Sequence, residues 1–183
     1  MNNADTTKER VVFWNGKLIP ESEAKISIYD SALMFGDMVF EMTRSFHKKQ
    51  FKLREHLERL YDGLKYLEIS VPMSIDEMEK SCLDVIDAND PLFAQDDEHR
   101  LMIDVSRGLL SIYRGVVGAQ KGPNIFIADF PLRWTVKGMG KLYEEGVDAV
   151  VPAQRTIPAS LLEQKVKNRN RLHFLMANIQ VSK

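Results

Sequence analysis

Residues 51–69, FKLREHLERLYDGLKYLEI, place Leu57, Leu60, Tyr61, Leu64 and Leu67 on one face of a helix and charged side chains on the other. A helix with a single apolar face needs a second layer to cover it. The neighbouring runs are of the kind that build one. VVFWNGKLI (11–19) joins two β-branched and aromatic runs through Asn15-Gly16, the dipeptide that best tolerates the positive φ angles of a type I′ hairpin turn. RLMIDVSRG (100–108) and NIFIADF (124–130) also read as strands. Pro72 ends the helix, and Ser74 with Glu77 forms a capping box for a second one over 74–89. The fold class is therefore α+β, with a two-layer N-terminal domain over residues 1–130.

The pattern changes near Pro131, and the boundary of a second unit, 131–183, is placed at 130–135. TVKGMGKLYEEG (135–146) reads as a short helix and VDAVVP (147–152) as a strand. RLHFLMANIQ (171–180) carries Leu172, Leu175, Met176 and Ile179 at helical spacing. One strand cannot make a sheet, so this second unit reads as incomplete. The connection 107–123, with Gly108, Gly115, Gly118 and Gly122, is long for a compact domain and is a candidate functional loop.

Charge is nearly balanced, 25 Lys and Arg against 26 Asp and Glu, which argues against a dedicated nucleic-acid surface. A single cysteine, Cys82, excludes an internal disulfide, and with a polar start it points to the cytoplasm. No apolar run approaches the length of a membrane span.

Three segments carry chemistry. Lys167 precedes the expected final helix, whose free N–H groups bring partial positive charge, and Lys165, Arg169 and Arg171 add full charges. Both effects disfavour an ammonium, and only a neutral amine attacks a carbonyl, as a Schiff-base lysine must. The same run also reads as a solvated basic patch or an RNA contact. In FGDMVFEMTRSF (35–46), Gly36-Asp37 marks a turn feeding a strand over 39–46, whose alternating residues face opposite sides; the plainer alternative is an ordinary strand with Phe40 and Met42 in the core. In HLERL (56–60), His56 and Arg59 flank the apolar stripe, where a guanidinium can grip a phosphate or pair with Glu55 or Glu58.

In this order the segments resemble one family. YDSALMFGDMVFEMTRSFHKKQFKLREHLERL (29–60) is similar to the amino-terminal signature of the fold-type IV pyridoxal-phosphate enzymes, with its Phe-Gly-Asp turn, Phe-Glu pair and His-Leu-x-Arg-Leu helix. These include branched-chain and D-amino-acid aminotransferases, R-selective amine transaminases and aminodeoxychorismate lyase. KNRNRLHF (167–174) resembles their Lys-x-x-Asn motif ahead of a helix.

The resemblance implies roles. Lys167 would hold pyridoxal 5'-phosphate and move a proton at the substrate Cα, Arg59 would grip the cofactor phosphate, and Phe40 would line the substrate pocket. Arg107 and Arg114 are candidates for the substrate carboxylate. The implied reaction moves an amino group from a branched-chain or D-amino acid to a 2-oxo acid in a homodimer, without nucleic acid, membrane or metal. FEMTRS, lacking the Phe-Glu-Gly-Ile-Arg pattern of branched-chain enzymes, sits nearer the D-amino-acid, lyase and R-amine branches. A lyase of the aminodeoxychorismate type and an inactive dimerising fragment are the alternatives. The resemblance also implies more chain after the lysine, completing a barrel-like α/β domain and supplying the group that bonds the pyridine nitrogen. A fragment, one chain of a split enzyme and a natural truncation each account for that.

Overall fold

The computed structural model describes residues 9–113, 115 and 121–182. Six strands form one sheet: β1 Val11–Trp14, β2 Lys17–Pro20, β3 Met38–Phe46, β4 Lys49–Gln50, β5 His99–Ser106 and β6 Asn124–Pro131. Their order is β2-β1-β6-β5-β3-β4, and every pairing is antiparallel. The β1–β2 turn is Asn15-Gly16, with φ of 48° and 98°, the left-handed geometry that a two-residue hairpin needs.

Two helices, α2 Leu53–Tyr66 and α3 Ile75–Asn89, cover one face of the sheet. Leu57, Leu60 and Leu64 are buried there, packed with Met78, Cys82 and Val85 of α3 and Leu101, Ile103 and Val105 of β5. Ser74 and Glu77 form the capping box in full, each side chain accepting from the other residue's backbone N–H.

The short helix α1, Ser31–Phe35, starts on Asp30, whose carboxylate accepts from Ala32 N at 2.7 Å. The same buried carboxylate accepts from Ser106 Oγ at 2.9 Å and Asn124 Nδ2 at 2.5 Å. Asp30 thereby fixes the entry to β3 against β5 and β6. At the ladder's centre Phe40 lies opposite Asp104, and Glu41 opposite Ile103.

Beyond Pro131 come α4 Arg133–Glu145 and α5 Leu172–Val181. The helix expected over 135–146 forms two residues earlier, and that expected over 171–180 starts at Leu172. The expected strand over 147–152 does not form. Val147, Val150 and Val151 are exposed, and no described strand edge pairs with them. A β-prone run without a partner leaves its backbone to water and stays irregular.

Candidate active site

Glu41 organises the site. On β3, residues 39, 41 and 43 face α2, and Glu41 is wholly buried there beside Val39 of the apolar core. A buried carboxylate requires partners. It accepts from Arg59 Nε at 2.5 Å and Nη2 at 2.8 Å, and meets His56 Nδ1 at 2.8 Å. His56 and Arg59 are one helical turn apart on α2, so both reach the same group. Burial alone would raise the Glu41 carboxyl, but these hydrogen bonds hold it below its ordinary value.

Lys167 approaches from the far end of the chain, its Nζ 3.9 Å from Glu41 Oε2. Its carbonyl accepts from Phe40 N at 3.0 Å, and the preceding Val166 is buried in the core. The lysine therefore sits against β3, between Glu41 and the Phe40 ring, whose centroid is 5.2 Å from Nζ. Burial pushes the ammonium below its ordinary value; Glu41 opposes this, and Arg59, Arg171 and Arg169 add to it.

The helix mouth expected to lower this lysine is farther off. The helix begins at Leu172, leaving residues 168–171 between them, and a helix's terminal charge fades within a turn. Desolvation and the arginines take that part.

Lys167, Arg59 and Arg171 border a cleft of about 270 Å³. A larger one, about 420 Å³, lies where Met42, Arg44 and Arg100 meet α4, and His56 borders it. The smaller cleft is the candidate site, because it joins an amine of lowered pKa to two guanidinium groups.

Phe40 is buried, and its ring lies under three cations, Arg169 at 4.0 Å and Arg171 and Lys167 each at 5.2 Å. Arg59 reaches the cleft but spends Nε and Nη2 on Glu41, not on Glu55 or Glu58. Arg107 is placed differently. It grips Asp37 at 2.6 and 3.2 Å and donates to the carbonyls of Leu67 at 2.7 Å and Glu68 at 3.1 Å, tying the start of β3 to the end of α2. Arg114 lies outside the described residues.

Two residues without an expected role hold the site, Glu41 and Asp104. The signal for Glu41 was available in strand alternation: a carboxylate between Val39 and Thr43 on an inward face must be partnered. Asp104 had no such mark, because its partner Arg169 comes from a distant loop.

The family model for class IV amino-transferases matches residues 38–183. A putative branched-chain-amino-acid aminotransferase of Methanocaldococcus jannaschii is 32% identical over 171 residues, covering 93% of this chain and 55% of that protein. The branched-chain-amino-acid aminotransferase of Escherichia coli is 33% identical over 165 residues, covering 85% and 51%. The crystal structure of the Thermoproteus uzoniensis branched-chain aminotransferase with norvaline superposes with a TM-score of 0.74 at 27% identity, over 93% of this chain and 55% of that one. The T.th. branched-chain amino acid aminotransferase complexed with N-(5'-phosphopyridoxyl)-L-glutamate shares the fold, with a TM-score of 0.75 at 22% identity over 96% and 56%. The chain spans about half the length of the relatives it matches. Matched over most of its length by that family's model and laid out on the same sheet, this chain belongs to the class IV aminotransferases.

Proposed function

We propose that this chain carries the lysine-bearing part of the active site of a pyridoxal-phosphate-dependent aminotransferase that passes an amino group from a branched-chain or D-amino acid to a 2-oxo acid. The observation that carries this reading is the convergence of Lys167 and Arg59 on one buried carboxylate beside a single cleft.

Class IV aminotransferases use pyridoxal phosphate, and the donor set of this cleft fits that group. An aldehyde needs an amine that can be neutral, which Lys167 supplies. A phosphate needs cations, and Arg59 and Arg171 border the same space. Lys167 would hold the cofactor through its amine, with Arg59 and Arg171 facing its phosphate. When bound, the cofactor supplies an electron-withdrawing ring that stabilises negative charge at the substrate Cα.

The rest of the chemistry belongs to the side chains. Lys167, neutral for part of its time, takes a proton from the substrate Cα and returns it on the other side of the transfer. Glu41 fixes the amine's position while opposing its loss of charge. Phe40 packs beside the amine, its ring centre 5.2 Å from Nζ, and limits where the amine can move. The resemblance to branched-chain enzymes supports an aliphatic amino acid, and a homodimer in the cytoplasm completes the reading. No helix among the described residues is long and apolar enough to cross a membrane.

Borohydride reduction of the cofactor-saturated protein followed by peptide mapping tests this. A pyridoxyl group on Lys167 is the expected result; its absence, or its appearance on another residue, overturns the assignment. Transfer to 2-oxoglutarate from a panel of L- and D-amino acids then identifies the substrate, and elimination without transfer would make the protein a lyase.

A further inference from the structure

Residues 167–171 bear the lysine yet belong to no helix or strand, so something must hold them. The hydrogen bonds of the two asparagines do not, since Asn168 donates to Val166 O at 3.5 Å and accepts from Asn170 N at 2.9 Å, all within the loop; Asn170 only packs against Gly36. Val166 anchors the segment on the N-terminal side, and Phe40 N holds the Lys167 carbonyl. Past the lysine, Arg171 also stands over the Phe40 ring at 5.2 Å, but the side chain that hydrogen-bonds to the sheet is Arg169 among the described residues. Its Nη2 lies 2.9 and 3.1 Å from the two oxygens of Asp104, and its Nε 3.2 Å from the first. The guanidinium carbon also stands 4.0 Å over the centre of Phe40.

Asp104 is almost wholly buried in the sheet and has no hydrogen-bond partner for its side chain other than Arg169 among the described residues. It sits directly opposite Phe40 in the β3–β5 ladder, so one guanidinium covers the ring and neutralises the carboxylate together. Ion and ring select the same position for Arg169, two residues beyond the lysine. Such a pair adds little net stability, because the cost of burying the Asp104 carboxylate offsets its attraction to a guanidinium that is itself more than one-third exposed and screened by water. What it does supply is a fixed geometry.

We propose that Asp104 is a positioning residue: by clamping Arg169 onto Phe40 it latches the lysine-bearing loop to the sheet and sets the reactivity of the Lys167 amine. The proposal rests on the functional reading of Lys167 given above. The charged groups that face this amine are Glu41 from β3, Arg59 from α2, and Arg169 and Arg171 from its own loop. With Asp104 gone, Arg169 keeps its charge and loses its counter-ion, and its repulsion of the lysine ammonium grows.

Trypsin reads the latch directly, since Lys165, Lys167 and Arg171 are cleavage points on either side of it. In the whole protein, Asp104→Asn and Arg169→Met should each speed cleavage at these points by about tenfold, leaving distant sites unchanged, because local opening governs cutting there. Asp104→Asn should also lower the pH at which the Lys167 amine becomes half-reactive toward trinitrobenzenesulfonate. The double variant Asp104→Leu with Arg169→Met, which leaves no lone buried charge, keeps the fold, is cut as fast as the single variants and loses the pH shift. Unchanged cleavage at 165–171 in the double variant, or equal acceleration everywhere, overturns the proposal. These readouts need no cofactor. Fast cleavage in the variants without a pyridoxyl adduct at Lys167 in the parent would sink the functional reading and leave the latch standing.

Discussion

Lys167 Nζ stands 3.9 Å from a carboxylate oxygen of Glu41, an amine about one-third exposed held by an acid with no exposure at all. The pair is unequal: Glu41 already accepts from Arg59 and meets His56, so its charge is shared before the lysine reaches it. Burial disfavours the lysine's charge first, part of one negative charge opposes that, three arginines add to it, and the pKa falls.

Glu41→Gln removes the nearby charge that opposes this fall. The pKa of Lys167 should drop further, moving the alkaline rise in amine labelling to lower pH, as followed by peptide-resolved trinitrophenylation. A rise that stays in place or moves upward contradicts the electrostatic account. Glu41→Ala should also destabilise the fold by about 2 kcal/mol in urea titrations, below the fully buried case because Arg59 is half-solvated.

A Cβ on Gly63 would lie 2.9 Å from Val39 Cγ1, where α2 crosses β3. Gly63→Ala gains about 1 kcal/mol of helix propensity, yet the overpacking costs about 1–3 kcal/mol. The variant should be neutral to destabilised despite the better helix former. Combined with Val39→Ala, the clash disappears, and the double variant should lose less than the sum of the singles. Strict additivity would show that the two residues do not meet.

His99 is buried between Asp129, 2.8 Å from Nδ1, and Asp90, 2.9 Å from Nε2. Burial pushes its pKa down, but the two carboxylates outweigh burial and raise it. A raised value means the fold favours the charged form. That contribution is whole below the unfolded value of about 6.5 and is lost as pH rises through the folded value. The melting-temperature gap between the parent and His99→Gln should therefore be wider at about pH 6 than at about pH 9. The reverse order would show that the histidine is held neutral.

Ser74 Oγ accepts from Glu77 N at 3.2 Å while Glu77 Oε2 accepts from Ser74 N at 2.7 Å. Ser74→Ala should cost about 1 kcal/mol and Ser74→Gly only a few tenths of that scale, since glycine suits the cap's backbone. Thermal unfolding of both variants distinguishes a cap from a mere surface hydroxyl, for which the two would lose equally.

Leu57, Leu60 and Leu64, the Asn15-Gly16 turn, and the Ser74–Glu77 box were legible in the amino-acid order, because each depends on residues within a few positions of one another. The Phe-Glu and Lys-x-x-Asn motifs likewise stood out in the sequence, and the fold brings Glu41 of the one within 3.9 Å of Lys167 of the other. The tertiary structure alone decided which charges meet. It gave Arg59 to Glu41 and not to a helix neighbour, turned Arg107 onto Asp37 and the end of α2, and brought Arg169 across the sheet to Asp104. It also left residues 147–151 without a strand, since pairing needs an edge elsewhere in the fold. The physical reason is the same throughout: periodicity and turn chemistry act through the adjacent backbone, whereas the partner of a buried charge is whichever group the packed layers place within hydrogen-bonding reach.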